Sequence, residues 1–346
     1  MGRTMLSEVR LGDISRFRGE MMGLAMLFVI LFHVALSRDD PFYGLRRCGN
    51  VGVDLFLFLS GVGLWHGWVR RPDVGVFYRR RLLRLLPAWL TCATAFYLPD
   101  WLGAQRYSRS LPDLLGDITV NLDFWLHDEL TFWYVPAIMM LYLWAPWYMR
   151  LIERHPTFRW LPVLMVVWCV MVQRVLPLHH AVGHIEIFWS RVPIFFIGIN
   201  MGEHVRSGRT MEPQSLWLFA LVAAVTGGTC VYLEQYRHGL FPLYEERMLY
   251  IPLTVSLSVL LCKALGRVPG GVRRMLGAVG ALSLEAYLIH LHFVYVYVQP
   301  LALGYWPTFL LTVAATLPAA WLLHAIVGRV MSCGKTTGGT QGDGGR

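Results

Sequence analysis

Apolar residues run along this chain in blocks of about 17–25, separated by short clusters of charge. Ten such blocks can be marked, at about 19–37, 51–69, 85–102, 132–150, 160–177, 187–203, 215–233, 248–265, 275–298 and 304–327. At 1.5 Å per residue, stretches of this length suit a hydrocarbon core about 30 Å thick. The pattern predicts an all-α, polytopic membrane protein of about ten transmembrane helices. It is read as one transmembrane domain over 1–328, followed by a Gly-rich tail over 329–346 whose composition predicts disorder.

Between the blocks, the loops differ in charge. RR…YRRRLLR (Arg70 to Arg84) and KALGRVPGGVRR (Lys263 to Arg274) fall on the same side, together with most of the 31 Lys and Arg residues. The positive-inside rule then places both termini in the cytoplasm. The longest outer segment, about 103–131, carries Leu111, Leu114, Leu115, Ile118 and Leu122 at helical spacing, with Asp113, Asp117 and Asp123 on another side. This is the pattern of an amphipathic piece on the outer surface, read as a solvated connecting helix.

Composition agrees: 55% of residues are hydrophobic and 15% charged, with a mean hydropathy of +0.47. A soluble domain carries roughly 25% charged residues. The net charge of +9 is accounted for by topology, so the expected partner is the lipid bilayer and no nucleic acid is called for. Six cysteines lie scattered, without CxxC or ligand spacing, and read as packing residues; no metal is expected. The first block has basic residues before it and Ala35-x-Ser37 near its end, but Glu20 and His33 are out of character for a cleaved signal. Gly334–Thr336 spells GKT, yet the glycine a phosphate loop needs five residues earlier is Arg329.

The informative residues are the polar ones at membrane depth, where a charge costs about 2.5–3.5 kcal/mol on insertion scales. GNVGVDLFLFLSGVGLW (residues 49–65) holds one carboxylate, Asp54, four residues into its span. His33 lies at a matching depth near the end of the first span, roughly 6 Å below the outer boundary. The expectation is that Asp54 pairs with His33, orienting the imidazole and leaving its other nitrogen free to take a proton. A buried polar pair that merely pins two helices is the blander alternative. Glu129, Trp133 and Tyr134 open the fourth span, Glu186 and Arg191 the sixth, and Ser283, Tyr287 and His290 share one face of the ninth. Together they suggest a polar chamber. At the inner end, Arg80, Arg81 and Arg84 sit three and four residues apart at the start of the third span, able to meet phosphates or lipid headgroups.

Taken in order, RGEMMGLAMLFVILFH, GNVGVDLFLFLSGVGLW, FYRRRLLRLLPAW, FWYVPAIMMLYL, RVPIFFIGINMG and SLEAYLIH resemble the integral-membrane acyltransferase family 3, over roughly residues 15–300. The resemblance implies an enzyme of the bacterial inner membrane. It would move an acyl group, usually acetyl, from a cytoplasmic thioester to a sugar hydroxyl at or beyond the outer face. The implied donor is acyl-CoA, most simply acetyl-CoA, and the implied acceptor a carbohydrate or glycolipid. The family's catalytic histidine corresponds to His33, its GVD aspartate to Asp54 and its third-span arginines to Arg81 and Arg84. Many members carry an arginine eleven residues before the histidine; here that position is Met22.

The mechanism expected on this basis has the donor phosphates near Arg80, Arg81 and Arg84, and the thioester carried up to His33. There His33 deprotonates the acceptor, or carries the acyl group itself, while Arg191 or His290 steadies the oxyanion. Trp133, Arg191, Tyr287 and His290 are the candidates for the acceptor or oxyanion site. A transporter using the same buried charges as a substrate or proton path is the alternative; the repeats that would favour it are not visible. The G-x-S-x-G of a serine hydrolase is absent.

Overall fold

Helix accounts for nearly all of the structure, a computed structural model that describes residues 9–127 and 129–336. The principal helices are α1 (Arg18–His33), α2 (Val51–Arg70), α3 (Val74–Leu102), α4 (Leu111–Val120), α5 (Tyr134–Arg154), α6 (Leu161–Arg174), α7 (Val192–Arg206), α8 (Ser215–Tyr236), α9 (Tyr250–Leu265), α10 (Gly270–Ala281), α11 (Ser283–Ile289) and α12 (Tyr305–Thr336). One two-residue ribbon, β1 (Val9–Arg10) against β2 (Thr210–Met211), ties the segment before α1 to the end of α7.

Among the described residues, seven helices are long and apolar enough to cross a membrane, or up to nine if two bent pairs each count as a span. Those pairs are Leu176–Trp189 with α7, bent by 43°, and α10 with Ser283–Leu301, bent by 61°. The expected ten blocks all coincide largely with helix, but α1 is only 16 residues, about 24 Å of rise. The last helix runs to Thr336, so the expected tail begins as helix; residues 337–346 lie outside the described residues.

Local chemistry sets the ends. Pro72 forces Arg71 into extended backbone, which stops α2, and the Asp73 side chain then caps α3 by accepting from the Val76 N–H at 2.8 Å. Inside the bundle, α2 is the central rod, buried along almost all its length, with α1 on one side and α7 on another. The apolar core gathers around it, from Met21 and Val29 of α1 to Phe195 and Ile199 of α7. The five described cysteines are buried free thiols, as packing residues should be.

The outer segment departs from expectation. Helix α4 buries Asp117 beside Leu114 and leaves Leu111 and Leu115 exposed, so its buried face mixes a carboxylate with a leucine. Asp117 organises the turn instead, accepting from Ser108 Oγ at 2.7 Å and from the Asp123 N–H at 3.0 Å.

Candidate active site

One face of α1 forms the wall of a cavity of about 440 Å³, with Arg18, Met22 and Val29 along it. These residues recur at spacings of four and seven, one face of a helix, and His33 continues the series four residues further. Across the cavity stand Val53, Phe56 and Ser60 of α2, Arg80, Arg81 and Arg84 of α3, Tyr134 and Tyr142 of α5, and Ser283 and Tyr287 of α11. Four arginines therefore cluster at one end, and no carboxylate lines the wall among the described residues. The Arg84 guanidinium donates to the Ala281 carbonyl at 3.2 Å, and Arg81 lies 6.0 Å from the rings of both Phe77 and Tyr142.

Beyond the other end are two histidines in contact. His33 Nδ1 lies 2.8 Å from the Val29 carbonyl and 3.3 Å from His290 Nε2. A carbonyl only accepts, so His33 Nδ1 carries the proton and shares it with His290 Nε2. His290 is fixed in the same way, with Nδ1 donating to the carbonyls of Tyr287 at 2.8 Å and Ala286 at 3.2 Å. The tautomers follow: His33 keeps an unprotonated Nε2, the nitrogen that can take a proton. His290 opens a π-helical stretch, His290–Tyr295, which shifts the register of the side chains that follow α11. From that stretch the Tyr295 hydroxyl accepts from the Ala35 N–H at 2.9 Å, pinning the chain just past His33. Tyr134 and Tyr287 stand between cavity and histidines: their rings are 5.2 Å apart, and Tyr287 is 5.8 Å from His290.

Phe132 adds a mark of constraint. It is buried and holds a positive φ of 53°, a conformation costly for a bulky side chain, while its ring packs 4.4 Å from His292. Glu129 braces the same turn by accepting from the N–H and hydroxyl of Thr131.

The expected His33–Asp54 pair is not formed. Asp54 ion-pairs with Arg191, and both are fully buried. Helical phase explains the correction. Gly52 is the residue of α2 pressed against α1, since a Cβ there would lie 2.4 Å from the Ala25 carbonyl. Asp54 is two residues on, about 200° around the helix. It shares a face with Gly61, whose Cβ would meet the Phe195 carbonyl of α7 at 2.3 Å. The carboxylate thus points at α7, where Arg191 waits just ahead of the first turn.

The acyltransferase 3 family model, described as an acyltransferase domain, matches residues 21–325, nearly the whole chain. The chain belongs to the acyltransferase 3 family. A curated nematode protein, the regulator of hypoxia-inducible factor 1 of Caenorhabditis elegans, is 30% identical over 134 residues, covering 34% of this chain and 27% of the worm protein. The match thus spans about a quarter of that relative's length. No solved structure matches the chain. Family membership and the apolar helices together make this a multi-pass membrane protein of the acyltransferase 3 family.

Within this family member, the structure brings His33 to His290 and sets Tyr287 in the same cavity wall as Arg80, Arg81 and Arg84. Arg191 is drawn off to Asp54, and Trp133 lies outside the cavity wall, 6.1 Å from the Tyr134 ring. Arg18, Ser60 and Tyr142 escaped the sequence reading. Of these only Arg18 left a signal: it falls on the helix face that later presents Val29 and His33.

Proposed function

We propose that this acyltransferase moves an acyl group, in the simplest case acetyl, from cytoplasmic acyl-CoA to a hydroxyl of a cell-surface carbohydrate or its lipid-linked precursor, in the inner membrane of a bacterium. The observation that carries the reading is one cavity with arginines at one end and the His33–His290 pair just beyond the other. The donor phosphates rest on Arg80, Arg81 and Arg84, and the pantetheine arm lies along the α1 wall toward His33.

His33 Nε2 takes the proton of the acceptor hydroxyl as its oxygen attacks the thioester carbonyl. The C–O bond forms, the C–S bond breaks, and the thiolate leaves with the proton that His33 gives back. His290 is the positioning partner: its Nε2 accepts a hydrogen bond from the Nδ1–H of His33, which keeps that proton, and so steadies the imidazolium through the step. Apolar surroundings favour transfer over hydrolysis. Asp54 and Arg191 hold α2 to α7 and so keep the cavity wall in place.

Mass spectrometry of surface glycans from cells with and without the protein tests the reading. A gain of acyl mass on one glycan, dependent on His33, supports it and names both group and acceptor. Identical glycans from both cell lines, with the protein present in the membrane of one, would remove it.

A further inference from the structure

Arg18 is the arginine of the cavity that its surroundings hold most deliberately. Its Nε donates to the Leu59 carbonyl of α2 at 3.1 Å, which seats the guanidinium against that helix. Glycine at position 63 leaves room for the group where it lies: a Cβ there would be 2.8 Å from Arg18 Cζ and 3.0 Å from both Nη atoms. Arg18 shares the cavity with Arg80, Arg81 and Arg84, and Arg81 keeps a buried Nε without a partner. Arg18 and Arg81 are half-buried and Arg80 and Arg84 exposed, and no carboxylate in the wall offsets the repulsion among these four charges. An anion of several charges removes the conflict.

Position adds a second argument. Arg18 opens the helix that His33 closes, so the two lie 15 residues apart on one rigid rod, about 22 Å of rise. A ligand with phosphate at the first and its reacting carbonyl at the second needs an arm of about that length. A compact acyl phosphate would not span it, whereas a phosphopantetheine thioester would.

We infer that Arg18 binds phosphate of the acyl donor and, with His33, sets the distance from that anion to the reacting thioester. The inference rests on the donor reading above and goes beyond it in assigning an anchor on the same helix as the catalytic histidine. Purified full-length protein is titrated with coenzyme A, free of any acyl group, by calorimetry. Arg18→Gln should bind it about tenfold more weakly or worse, with Arg18→Lys in between, because a charge-assisted contact is lost.

Wild-type affinity in Arg18→Gln would overturn the inference. If that variant cannot be recovered folded, Arg18→Lys decides: it keeps the charge but loses the planar fork, so weakened binding supports the assignment and wild-type affinity overturns it. Arg81→Gln/Arg84→Gln separates the two layers. Loss of binding there, with Arg18→Gln unaffected, sinks only the role of Arg18; wild-type affinity in both sinks the donor reading itself. A parallel titration with phosphatidylglycerol in mixed micelles covers the lipid source of phosphate. Loss of that binding alone in Arg18→Gln would assign the residue to a headgroup and overturn the inference.

Discussion

The seam between α2 and α7 and the cavity along α1 both set arginine against apolar helices, buried at the first and half-buried or exposed at the second, and they treat it in opposite ways. At the seam, Arg191 meets Asp54 one to one in a site closed to solvent. Its Nε and Nη2 remain without partners, so the carboxylate is the one group that makes the buried charge tolerable. In the cavity, four arginines face a void with no acid in its wall. A paired buried charge fixes two helices; charges around a space with no acid in its wall are the ones proposed above to take a ligand. Sequence alone makes both look like functional charge at depth.

The largest effect should come from the histidine beyond the cavity. His33→Ala should cut acyl transfer by roughly 10²–10⁴-fold, the span usual for general acid–base groups, while the protein still inserts and stays folded. Glycan acylation in cells measures it, and near-normal modification would move the chemistry elsewhere.

Next in size is the seam. Arg191→Met strands a buried carboxylate and should cost about 3–5 kcal/mol, seen as loss of folded protein after detergent extraction. Adding Asp54→Leu should recover most of it, because an apolar pair of similar volume suits the site. A double variant that folds fully but transfers nothing would return Asp54 to the chemistry and erase the contrast drawn here.

His290→Ala should slow transfer by about tenfold to a hundredfold, less than His33→Ala, since Val29 still holds the His33 Nδ1 proton. An equal loss in both would make His290 a full catalytic partner. Smallest of all, Trp133→Ala should change transfer by under about threefold, as it lies outside the cavity wall. A larger drop would place the acceptor against that indole.

How much of this was legible beforehand can be judged from particular residues. His33 stood out because a histidine ending an apolar span is rare, and Arg80, Arg81 and Arg84 because basic residues cluster where helices enter a membrane. Arg18 was masked by the same rule: one more arginine at a span entrance reads as topology until a cavity is seen beside it. Asp54 was assigned to His33 because their depths and a short loop agree. Depth fixes height along a helix but says nothing of the direction a side chain takes, and Gly52 and Gly61 were the unread clue to that direction. On the outer helix the same limit applied, with Asp117 turned inward to serve a turn rather than outward to water.

By itself, the sequence determined the helical membrane architecture, the family, and the two ends of the site, because hydropathy and charge act along one dimension and leave their mark there. Which polar groups meet was decided only by tertiary structure. A hydrogen bond depends on helix phase and on how closely backbones approach, and those are set by packing among distant segments. That is why the imidazole of His33 found another imidazole, and the carboxylate of Asp54 a guanidinium.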